Sequence, residues 1–148
     1  DRAPVWPAGL SGSIAHSDGV ALAALAPAGA AAALGIDIEP DKGLEDALAD
    51  EIATPAERAR LAALPGPARG RALRVLFAAK EAAYKAQYPL SRALLGFEAI
   101  AIEPGPAGRF AARFAAPAPP FAAGDRIAGR LGRAAGLVLA AAALPPAS

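Results

Sequence analysis

The chain of 148 residues contains no cysteine and a single histidine. The first absence excludes disulfides, thiolate catalysis and thiolate zinc sites, and the second excludes poly-histidine metal centres. Any metal would have to be held mainly by oxygen. Aromatic residues make up only 5% and the net charge is +1. Neither the stacking platform nor the basic excess of a general nucleic-acid binder is present, and nucleic acid is not an expected partner. Long hydrophobic runs are also lacking. The apolar stretches from Val20 to Ile36 and from Ala134 to Leu144 are broken by Pro27, Gly29 and Gly35 or are too short to cross a bilayer. No charged-then-apolar leader opens the chain, so a cytoplasmic location is expected.

What is present is a folded chain heavily punctuated by turns, with 55% hydrophobic and 20% charged residues, 15 Gly and 15 Pro. Its length suits a single domain over residues 1–148. The abundant alanine reads as compositional bias. The opening "DRAPVWPAGLSG" has the Pro and Gly density of a loop, and "GVALAALA" reads as a short strand. In "LGIDIEP", Ile36 and Ile38 alternate with Asp37 and Glu39, a strand with one buried face and both carboxylates on the other.

"TPAERARLAAL" carries a helix start, with Thr54 as N-cap, Pro55 at the first helical position and Glu57 completing a capping box. A longer helix is expected from about Arg69 to Tyr88, stopping at Pro89. Beyond it, "GFEAIAIEPG", "GRFAARFA", "DRIAGRLG" and "GLVLAAAAL" read as three or four strands joined by Gly/Pro turns. The fold class expected is α+β, an antiparallel sheet packed on one long helix.

At helical spacing, Leu73, Leu76, Phe77, Tyr84 and Tyr88 gather on one apolar stripe with Lys80 in its middle. A lysine there either snorkels out or meets an anion at the edge of the core. Glu81 and Lys85 lie one turn apart at the margin of the stripe, which on its own reads as an ion pair worth a few tenths of a kcal/mol. Asp37 and Glu39 alone read as a solvated strand face. Together the two segments could converge three carboxylates and two amines, a set suited to a magnesium-bound pyrophosphate. His16 near serines raises a hydrolase, but "GLSGS" fails the G-x-S-x-G elbow, and a structural histidine is the simpler reading. Arg69, Arg71 and Arg74 form a basic cluster, either a solvated face or a dock for an acidic protein.

"WPAGLSGSIAHS", "GIDIEP" and "LFAAKEAAYKA" resemble, in order, the signature blocks of the 4′-phosphopantetheinyl transferases. The resemblance is to the surfactin-synthetase-activating type and, through the opening block, its enterobactin synthase component D branch. It implies a Mg²⁺-dependent enzyme that transfers the 4′-phosphopantetheine arm of coenzyme A to a serine of an apo acyl, peptidyl or aryl carrier protein. Adenosine 3′,5′-bisphosphate is released, in siderophore or secondary-metabolite biosynthesis. Asp37, Glu39 and Glu81 match the family's magnesium carboxylates, and Glu81 also matches the group that helps deprotonate the carrier serine. Lys80 and Lys85 match the lysines of the K-E-x-x-x-K block, both expected among the coenzyme A-binding residues and Lys85 on the pyrophosphate, and His16 matches a histidine on a coenzyme A phosphate. Glu57 stands where the family often has an acidic residue. The family usually has two similar halves, of which the second and its approach match here. An inactive fragment or carrier-binding module, or a self-assembling holo-acyl-carrier-protein synthase, stand as alternatives.

Overall fold

The computed structural model describes residues 3–146. A hairpin comes first, β1 (Leu10–Ser17) and β2 (Val20–Pro27), joined through Asp18 and Gly19 at φ 48° and 75°. Two successive left-handed residues make the tight turn whose twist matches that of paired strands, and a glycine at the second position relieves half the cost. Ala135 and Gly136 repeat the device at φ 51° and 73° between β6 (Arg126–Ala134) and β7 (Leu137–Leu144).

The central sheet has the order β3-β7-β6-β5-β4, antiparallel throughout, with β3 spanning Ala33–Pro40, β4 Ile100–Pro104 and β5 Arg109–Phe114. The expected α+β architecture is therefore observed, and all four C-terminal strand segments form. One face of the sheet carries the helical layer: a single turn α1 (Ala49–Ile52), α2 (Pro55–Ala62) and the long α3 (Gly66–Ser91). Phe110, Phe114, Ile127, Val138, Ile100 and Ile102 fill the space between, with Phe114 stacked on Phe121 at 4.5 Å. Burying each such side chain contributes about 1.5–3 kcal/mol.

Two expectations about α3 need correction. Leu73 and Leu76 are buried as the stripe requires, but the rest of the buried face is Ala78, Ala79, Ala82, Ala83 and Ala86, all at 0% exposure, whereas Tyr84 and Tyr88 are only partly covered and stack on each other at 5.9 Å. Alanine is thus the contact surface, because only small side chains let a helix lie this close to a sheet. The helix also runs through Pro89 to Ser91. Pro89 forfeits one backbone bond in the last turn. Fully buried Gln87 compensates by donating to the Ala93 carbonyl and accepting from the Ser91 hydroxyl, and Arg92 closes the helix in the left-handed region at φ 57°.

β3 sits at the sheet edge and is covered on both sides. Ile36 and Ile38 face Ala15 of β1, while Gly35 meets α3, where an added Cβ would lie 1.8 Å from the Ala82 carbonyl oxygen. The alternation in "GIDIEP" is real, but the carboxylate face turns toward the helix and not to open solvent. Ser13 of β1 accepts a hydrogen bond from the Ile36 N–H at 3.0 Å, which satisfies part of the exposed edge.

Candidate active site

The contact of Gly35 with Ala82 fixes what lies beside it. Two residues along β3, the Asp37 carboxylate meets Lys85 of α3, whose Nζ donates to Oδ1 at 2.9 Å and to the Ile36 carbonyl at 3.0 Å. Two residues further, Glu39 receives Arg74 Nη1 at 2.7 Å, and Arg74 Nε donates to the Lys42 carbonyl at 3.0 Å. Between Arg74 and Lys85 on the same helical face stands Glu81. It is half-buried and makes no hydrogen bond or ion pair with any described residue. The Glu81–Lys85 ion pair that spacing alone suggested is replaced by the Lys85–Asp37 pair.

The three carboxylates feel one another. Burial pushes the Asp37 carboxyl up from its ordinary 3.8 to about 6; Lys85 opposes the rise, and the charges of Glu39 and Glu81 add to it. Glu81 is raised as well, first by burial and then by Glu39, against the pull of Lys85. The second oxygen of Asp37, Oδ2, is buried with no partner. An orphaned carboxylate oxygen beside two further carboxylates is a site short of positive charge, and hard oxygen donors of this kind fit Mg²⁺. Among the described residues no three acidic or histidine side chains already close around one point as a metal cage. Lys85 and Arg74 hold Asp37 and Glu39 in place instead.

Lys80 goes elsewhere. Its Nζ lies 2.8 Å from Glu57 Oε2 and donates to the Phe97 carbonyl at 2.7 Å, and both side chains of the pair are 2% exposed. Glu57 also accepts from the backbone N–H groups of Thr54 and Ile102, each at 2.7 Å, so the capping box expected at Thr54 exists and doubles as the anchor of a buried ion pair. Of the two alternatives for a lysine within the apolar stripe, the internal anion holds. The Lys80 ammonium is committed to Glu57 and Phe97, while the side chain also lines a cavity beside Glu81. Burial lowers the Lys80 pKa, and the bond from Glu57 resists that.

A cavity of about 220 Å³ opens beside Glu81, walled by Lys80, Tyr84, Leu95, Gly96, Phe97 and Ile100. His16 is exposed on β1, on the face opposite Ser13 and Ala15, which turn toward β3. Arg74 was legible only as one of three arginines. Its distinguishing signal is position, two turns before Glu81 on the same face.

An antiparallel sheet lies on one long helix, with a lysine-flanked group of carboxylates where strand and helix touch. Residues 33–138 match the sequence profile of the 4′-phosphopantetheinyl transferase superfamily, and residues 1–26 match that of the 4′-phosphopantetheinyl transferase N-terminal domain. The chain belongs to the 4′-phosphopantetheinyl transferase superfamily. It is 43% identical over 150 residues to the 4′-phosphopantetheinyl transferase Svp of Streptomyces mobaraensis, covering 96% of this chain and 59% of that protein. It is 41% identical over 115 residues to PptT of Mycobacterium tuberculosis, covering 74% of this chain and 50% of that one. Enterobactin synthase component D of Escherichia coli is 46% identical over 87 residues, covering 57% of this chain and 40% of the relative. The chain spans about half the length of the curated relatives it matches.

Proposed function

We propose that the protein transfers the 4′-phosphopantetheine arm of coenzyme A to a serine of an apo carrier protein, acyl, peptidyl or aryl. Asp37, Glu39 and Glu81 would hold Mg²⁺. Residues 1–148 act as one phosphopantetheinyl transferase domain in siderophore or secondary-metabolite biosynthesis, in the cytoplasm, where coenzyme A is available. The observation that carries this reading is the unpartnered Asp37 Oδ2, buried beside Glu39 and Glu81 at the contact of β3 and α3. No helix among the described residues is long and apolar enough to cross a membrane.

The chemistry follows from the side chains. The serine Oγ bonds to the β-phosphorus of coenzyme A, and the phosphorus–oxygen bond to adenosine 3′,5′-bisphosphate breaks. Glu81 accepts the hydroxyl proton; an unpaired carboxylate with a raised pKa is a stronger base than an exposed one. Lys85 uses Nζ to fix Asp37 and has one N–H left for a phosphate oxygen. The metal, when bound, supplies charge neutralisation on the pyrophosphate. The cavity beside Glu81 offers largely apolar walls to a slender arm. His16 reaches a coenzyme A phosphate from the exposed side of β1. Lys80 and Glu57 position Glu81, its chain neighbour, by locking the helix at this height.

Incubating the full-length protein with coenzyme A, Mg²⁺ and an apo carrier, then weighing the intact carrier, tests the reading. The expected result is a gain of one phosphopantetheine per carrier that EDTA prevents. A carrier of unchanged mass overturns it.

A further inference from the structure

A second cavity, of about 570 Å³, opens among α2, α3, the turn joining β4 to β5, and β6. Its buried floor is apolar: Leu61, Leu76, Ile102 and Phe110. The mouth carries four exposed arginines, and their charges are poorly matched. Arg60 donates to the Ile102 carbonyl at 2.9 Å, and Arg133 pairs with Asp41 at 3.2 Å. Arg71 and Arg109 make no hydrogen bond or ion pair with any described residue. Glu57, the acidic group on the wall, is already saturated by Lys80 and two backbone N–H groups. Asp37, Glu39, Glu81, Lys85 and His16 do not line this cavity. Glu57 lines this cavity, and its ion-pair partner Lys80 lines the one beside Glu81.

We propose that this cavity binds an anionic amphiphile, a carboxylate head on an apolar body of medium length. An apolar floor gains by losing its water. The two unpaired guanidiniums supply forked donors that match a carboxylate. The volume falls in the range of about 300–1,000 Å³ usual for small-molecule sites. Neither the floor without the arginines nor the arginines without the floor would select such a ligand, and here they occur together.

Calorimetric titration of the full-length protein with octanoate, 1-octanol and octyltrimethylammonium, each below its micelle-forming concentration, tests this. Octanoate should bind once per chain, about tenfold or more tighter than octanol, a ratio set by the charge contribution alone. The cation should not bind. Arg71→Ser with Arg109→Ser, both exposed and therefore compatible with folding, should abolish the preference of octanoate over octanol. Val75→Trp, which fills the cavity from α3, should remove both ligands while the arginine variant still reports if this one misfolds. Absence of octanoate binding overturns the proposal. Equal affinity for octanoate and octanol, or octanoate affinity unchanged in the arginine variant, overturns it as well.

Discussion

Replacing Asp37 by Asn should stabilise the metal-free protein at alkaline pH, although it breaks an ion pair. Burial raises the Asp37 carboxyl from 3.8 to about 6 despite the Lys85 ammonium at 2.9 Å. The folded protein therefore holds this proton more tightly than the unfolded chain does. Its contribution to stability is fully present below 3.8, declines as pH rises through about 6, and is gone above. At about 1.4 kcal/mol per pH unit, ionising Asp37 within the fold costs about 3 kcal/mol at pH 8. Asn carries no charge and avoids the cost. Its amide NH₂ inherits the unpartnered position of Oδ2, which makes 3 kcal/mol the ceiling. For a chain of this size that ceiling corresponds to roughly 6–12 °C in Tm. Thermal unfolding of the full-length protein followed by circular dichroism in EDTA, wild type against Asp37→Asn from pH 4 to pH 8, measures it. The variant should be more stable at pH 8, with the difference shrinking toward pH 4. A variant less stable than wild type at pH 8, or a difference independent of pH, refutes the reasoning.

Lys80→Met leaves the Glu57 carboxylate buried without its counter-ion and should cost about 3–5 kcal/mol in urea denaturation, a loss that Glu57→Gln in the same chain partly recovers. A loss under about 1 kcal/mol would show that the pair is solvated. Glu81→Gln should lower phosphopantetheine transfer by about a hundredfold or more with Tm unchanged or raised, because Glu81 has no partner to lose and its charge is costly where it sits. A fall in Tm would return Glu81 to a structural role. Gly35→Ala places a methyl group 1.8 Å from the Ala82 carbonyl oxygen, backbone that cannot rotate away, and should destabilise by about 3 kcal/mol or more. Chemical denaturation at wild-type midpoint would contradict the close contact of β3 with α3.

Local chemistry is what the sequence makes legible. The capping box at Thr54, the alternation through Asp37 and Glu39 and the four C-terminal strands all depend on neighbours in the chain, and all form. The three carboxylates of the cluster could be named because each belongs to a short, distinctive block. What could not be read are relations between distant residues. Lys80 and Glu57 were both conspicuous, yet nothing in their own segments says that each is the other's partner across 2.8 Å. The alanines of α3 look like bias until the sheet arrives, when their small size becomes the reason the helix can approach Gly35. Pro89 reads as a stop because its rule is local, while the Gln87–Ser91–Ala93 bonds that carry the helix past it are not. Arg74 was one cation in a cluster until β3 brought Glu39 to it.

The most direct measurement is metal binding itself. Mn²⁺ accepts the same hard oxygen ligands as Mg²⁺ and is visible by electron paramagnetic resonance. Titrated into the full-length protein with coenzyme A present, it should fill one site that is lost in Asp37→Asn, weakened about tenfold or more in Glu81→Gln, and untouched in Glu103→Gln on the exposed sheet surface. A site that survives both Asp37→Asn and Glu81→Gln at wild-type affinity would contradict the account.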